Sequence, residues 1–145
     1  MTWSMSRRTF AALLPRALAM AFIPVGCATM DAQADKAQDH TFRIVSAGEL
    51  VRDISYEYGD IRRTIRHARN GGGRTFIQPM PVPEVLIVKW TTSDGETHEA
   101  KAPIRSRVPA DMRGNAVSAE IDKAQLRVFL ETGPTAQRTR AQIYP

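Results

Sequence analysis

From Thr41 onward, apolar and polar residues alternate in short runs, which is the two-residue period of half-buried β-strands. Phe42 and Ile44 alternate with Arg43 and Val45, predicting a first strand. Ile54, Tyr56 and Tyr58 alternate with Ser55 and Glu57 and stop at Gly59-Asp60, a strand rich in β-favouring side chains. Ile61 and Ile65 fit either one face of a strand or a helical turn; strand is the preferred reading, with Asn70-Gly71-Gly72-Gly73 as the turn that ends it. Phe76-Ile77-Gln78 reads as a short edge strand, cut off by Pro79, Pro81 and Pro83 because proline cannot donate to a central ladder. Four consecutive aliphatics, Val85 to Val88, predict a strand buried on both sides that continues through Trp90 to Thr92. Asp94-Gly95 signals a type I′ hairpin, from which Glu96 to Ile104 returns. Residues 105–114 read as a loop. Val117, Ala119 and Ile121 then form a strand joined through Asp122-Lys123-Ala124 to Leu126, Val128 and Leu130.

The predicted fold is therefore all-β: a small antiparallel β-sandwich of six to seven strands, immunoglobulin-like or transthyretin-like, over residues 41–145. Trp90 is the expected core anchor. After Gly133-Pro134 the polar tail is expected to fray, with Ile143 and Tyr144 able to pack back. Residues 28–40 are polar and alanine-rich without apolar periodicity, so 27–40 reads as a tether.

The front of the chain follows different rules. Arg7, Arg8 and Arg16 precede a short apolar core, Ala17 to Ile23, and no acid occurs before Asp31. That is the layout of an export leader over residues 1–26, too short for a bilayer span of about 20 apolar residues. Ser6-Arg7-Arg8-Thr9-Phe10 resembles the twin-arginine export signal, with Arg7, Arg8 and Phe10 its matching positions, against the general secretory route as the alternative. Pro24-Val25-Gly26-Cys27 resembles a bacterial lipobox, which implies acylation of Cys27 and attachment to a membrane; Ala28 behind it implies the outer membrane. The competing cleavage follows Ala32-Gln33-Ala34 and would free a soluble periplasmic protein. Cys27 is the chain's one cysteine, so the body must be stable without a disulfide.

Composition narrows the function classes. The net charge of +5 falls to +2 once residues 1–26 are set aside, because they hold three arginines and no acid. The 119 residues that remain suit one domain. Arg62, Arg63, Arg66, Arg69 and Arg74 form a basic cluster with no acid between them. It reads either as a solvated loop face or as a dock for an acidic partner protein or anionic lipid. Export argues against nucleic acid. Catalytic candidates are few: among His40, His67 and His98, only His98 shares a strand face with a nearby carboxylate, Glu96, and no third metal ligand stands at a recognised spacing. The Gly71-Gly72-Gly73 triplet lacks the Lys-Ser/Thr of a phosphate loop. Neither catalytic residues, a cofactor nor a metal are expected, and the chain is not read as an enzyme.

The block Pro83-Glu84-Val85-Leu86-Ile87-Val88-Lys89-Trp90 with Asp94-Gly95, preceded by Gly71-Gly72-Gly73, resembles small β-rich envelope lipoproteins of Gram-negative bacteria. Some of these are encoded beside type VI secretion phospholipase effectors and act as immunity proteins. The resemblance implies a non-catalytic, membrane-anchored module that binds a protein partner and neutralises a secreted effector. The alternative is a structural envelope protein that holds anionic lipid or lipopolysaccharide through an arginine-rich loop.

Overall fold

The computed structural model describes residues 36–145. Arg7, Arg8, Phe10, Cys27 and both cleavage sites lie outside the described residues. Nine strands follow in order: β1 Gln38–Ser46, β2 Val51–Tyr58, β3 Ile61–Ala68, β4 Gly73–Met80, β5 Val85–Thr91, β6 Thr97–Pro103, β7 Ala116–Asp122, β8 Gln125–Thr132 and β9 Thr139–Tyr144. They form two sheets, ordered β4-β1-β7-β8-β9 and β3-β2-β5-β6. The chain is an all-β sandwich. The order departs from the immunoglobulin one, where the first strand pairs with the second; here β1 pairs with β4 and β7. Every pairing is antiparallel except β1 with β7, which run parallel with Thr41 beside Ala116.

The core lies between the sheets. Phe42 and Ile44 of β1, Ile54, Tyr56 and Tyr58 of β2, Leu86, Val88 and Trp90 of β5, and Val117, Ala119, Ile121, Leu126 and Val128 of β7 and β8 are buried. Burying each large apolar side chain contributes about 1.5–3 kcal/mol before entropy is counted. Phe42 stacks on Tyr58 with ring centroids 4.1 Å apart. Trp90 anchors the core as expected, and its Nε1–H donates to the Lys123 carbonyl at 2.7 Å, tying β5 to the β7–β8 turn.

Several expectations are corrected. The tether ends sooner: β1 begins at Gln38, and both Gln38 and His40 point inward. Their polarity hid this, but each is satisfied by specific bonds. The Gln38 amide donates to the Ala110 carbonyl at 2.8 Å and accepts from the Met112 N–H at 2.7 Å. The count is nine strands, not six to seven, because β4 runs on through Pro79 and the tail forms β9. A proline is tolerated in β4 because it is an edge strand. The tail does not fray: β9 pairs with β8, and Ile143 and Tyr144 pack against the core. β5 is buried on one face only, with Val85 38% exposed, since its outer side is left uncovered.

The turns also redistribute. Asp94-Gly95 is not type I′, because of the two only Gly95 has positive φ. The loop is closed by Gly95 N–H to Thr92 O and Thr92 N–H to Glu96 O, a three-residue form with glycine in the left-handed position. The type I′ turn is instead Asn70-Gly71, with φ of 47° and 80° and a bond from Gly72 N–H to the Arg69 carbonyl at 2.8 Å. It switches the chain from one sheet to the other and sets β3 beside β4, which carries Arg74. Gly73 follows because the backbone passes so close to Ile44 that an added Cβ would sit 1.9 Å from its carbonyl oxygen.

Candidate functional site: the basic side of the sandwich

β3 and β4 are edge strands of opposite sheets and lie on the same side of the sandwich. The basic cluster is therefore not a loop. Arg62, Arg63 and Arg66 project from β3, Arg74 from β4, and Arg69 stands at the turn between them. β3 can carry them because its edge position leaves six central residues exposed or half-buried, with only Ile61 and Ala68 buried. Arg62 pairs with Glu57 at 3.4 Å. Arg63, Arg66, Arg69 and Arg74 make no ion pair with any described residue. Arg63 donates one bond to the Arg62 carbonyl at 3.0 Å.

Behind these arginines lies a cleft of about 280 Å³ lined by Tyr56, Arg63, Thr64, Arg74, Thr75 and Phe76. Tyr56 sits opposite Arg63 in the β2–β3 ladder, so alternation turns both toward the interior. The Tyr56 ring packs against Phe42 and Phe76, at 5.8 and 6.2 Å between centroids. Tyr56 is only 2% exposed, and its hydroxyl has no hydrogen-bond partner among the described residues. A buried unsatisfied hydroxyl costs about 1–3 kcal/mol. Burial raises its pKa, against the opposing pull of the Arg74 and Arg63 charges, so at neutral pH it is a proton donor. The sequence displayed the arginines but not this tyrosine, because the residues that form the cleft come from three strands.

Next to the cleft the core is closed by a satisfied polar pair. His40 Nδ1 lies 2.9 Å from the Gln38 carbonyl, which can only accept, so Nδ1 carries the proton. Nε2 then accepts from the Tyr58 hydroxyl at 2.8 Å. Burial lowers the His40 pKa and raises that of Tyr58, which keeps both neutral.

The other sequence candidates form no comparable site. Glu96 and His98 do share a face, with Oε2 and Nε2 3.8 Å apart, and the His98 ring lies 5.6 Å from Trp90. Among the described residues no group of three or more His, Cys, Asp or Glu side chains is placed to hold a metal. His67 is exposed on β3. Compared with family models, with curated proteins and with solved structures, the chain matches none.

Proposed function

We propose that the chain is an exported, membrane-anchored lipoprotein whose sandwich is a non-catalytic protein-binding module, docking an acidic partner on the β3–β4 side. The observation that carries this is the gathering of five arginines on one side, four of them without a carboxylate among the described residues. Uncompensated like charges repel and do not stabilise the free domain, whereas an acidic partner is steered toward them and neutralises them. The resemblance to immunity lipoproteins supports a secreted effector as that partner.

Anionic lipid is the competing ligand for the same charges. Arg74 lies beside Ile44 of β1, and Arg69 beside the turn that follows Ser46. The chain leaves toward Cys27 from the other end of β1, at Gln38, roughly 20 Å away at about 3.3 Å per residue. An anchor held close to Gln38 would leave Arg69 and Arg74 at the far end of β1 from the membrane, which supports a protein over a lipid surface.

The test is a stoichiometric pulldown with the full chain, repeated with Arg62, Arg63, Arg66 and Arg69 all changed to Gln. The expected result is one co-purifying protein, encoded next door, released by salt and absent from the variant. Retention of the same protein by the variant would refute the docking side. Salt-sensitive binding of anionic vesicles without any protein partner would favour the lipid alternative. Mass spectrometry of the mature N-terminus should find an acylated Cys27; an unmodified terminus at Asp35 would remove the anchor.

A further inference from the structure

The cleft between β3 and β4 holds an unanswered donor. Tyr56 presents a buried hydroxyl without a partner among the described residues, in a cleft shared with Arg63 and Arg74, whose charges act on it. Neither Arg63 nor Arg74 has a carboxylate among the described residues. Three donor groups thus line one cleft that no acceptor among the described residues fills. A folded domain rarely leaves such a group unsatisfied without a functional reason.

We propose that this slot is a carboxylate receptor: an acidic side chain on an extended segment of the partner enters between β3 and β4, lies between Arg63 and Arg74, and accepts a hydrogen bond from the Tyr56 hydroxyl. The inference rests on reading the sandwich as a protein-binding module and specifies what its partner presents. A carboxylate is planar and carries two acceptor oxygens, which suits a pair of guanidinium forks flanking one hydroxyl. The surroundings favour a polypeptide. The slot lies between two stacked sheets, spaced about 10 Å, where a side chain can reach and a bilayer surface cannot follow. β4 is an edge strand with no neighbour beyond it among the described residues, and Ile77 on that edge is 79% exposed. An added strand would pair with the free backbone there and cover that isoleucine.

The test compares binding of a hexaglutamate peptide and a hexaglutamine peptide to the full chain by calorimetry at low salt. Tyr56→Phe removes only the hydroxyl, so the free protein should melt at the same temperature or higher. Its affinity for hexaglutamate should fall about tenfold, the usual loss when a bond to a charged acceptor is removed. Arg74→Gln should weaken binding at least as much, and Lys123→Gln, in the β7–β8 turn away from the arginine side, should change it by less than about twofold. The proposal is overturned if Tyr56→Phe binds like the parent, if Lys123→Gln matches Arg74→Gln, or if the parent does not prefer hexaglutamate. Vesicles of phosphatidylglycerol that bind in a Tyr56-dependent way would also overturn it, assigning the slot to headgroup phosphate. A cellular partner lost with the four arginines but retained by Tyr56→Phe would sink the slot alone. A partner retained by both variants would sink the binding-module reading itself.

Discussion

Arginine is used in two opposite ways on this sandwich. On the outer face of the five-stranded sheet, Arg43, Arg138 and Arg140 gather around Glu131, with Arg43 and Arg138 at 3.0 and 3.4 Å. Arg140 also reaches Glu120 and lies over the Phe129 ring at 3.6 Å. Arg127 is held by Asp122 at 2.7 Å. On the β3–β4 side, four arginines have no such counterpart among the described residues. The first group answers its charge within the chain and helps to hold β8 and β9 together. The second is answered by no described carboxylate. Arginine content alone distinguishes nothing; the placement of the glutamates does.

The contrast can be tested by breaking each side. The largest effect is expected from Gly73→Ala, which forces a Cβ into the Ile44 carbonyl at the turn that sets β3 against β4. It should cost about 3 kcal/mol or more, read as a lower urea midpoint with an unchanged slope. Next, Glu131→Gln strips three arginines of their shared carboxylate. Because that carboxylate is only 12% exposed while its partners are more open, about 1–3 kcal/mol should be lost by the same measurement. By contrast, Arg66→Gln with Arg69→Gln should move stability by no more than about 0.5 kcal/mol, although both belong to the β3–β4 side. A loss comparable to that of Glu131→Gln would mean that the two sides do not differ.

A gentler probe is pH. His40 has a folded-state pKa below its ordinary value of 6.5, so the unfolded chain takes up the proton first. The stability due to its neutral form is present above pH 6.5 and declines as the pH falls toward the lowered folded value. Urea midpoints between about pH 7.5 and 5 should fall on acidification, and His40→Gln should flatten that slope. Asp111 acts in the same direction at lower pH. Arg113 holds its carboxyl at about 2, so the stability of that exposed pair persists until the pH drops from the ordinary carboxylate range toward that value.

What the sequence made legible follows from which forces shaped each segment. β2, β5, β7 and β8 are held by apolar faces, and their alternation is visible in Tyr56-Glu57-Tyr58 or Val117-Ser118-Ala119. Even so, β2 contains a break that pattern alone does not show. Asp53 adopts a φ of 49°, and the buried positions switch from Val51 to Ile54, Tyr56 and Tyr58. The ends of the fold are held by polar contacts and were hidden. Gln38 and His40 look like tether until their partners at Ala110, Met112 and Tyr58 are known. The residues of β9 look like a loose tail until Glu131 and Glu120 meet Arg140. The arginine cluster was visible as composition, whereas its geometry depends on an Asn-Gly turn that crosses between sheets.

Because β1 is gripped on both flanks, by β4 along Gln38–Val45 and by β7 along Thr41–Ser46, it is an interior strand of its sheet. A chain fastened to a membrane ahead of residue 38 would load the domain through that strand, along its own axis. The ladder bonds to β4 lie across this direction, and those to β7 are slanted to it, so both rows resist together in shear instead of opening one at a time. A domain hung from an outer strand would peel. Suspended in that way from the middle of its sheet, this domain would resist a pull that an edge-hung one would not.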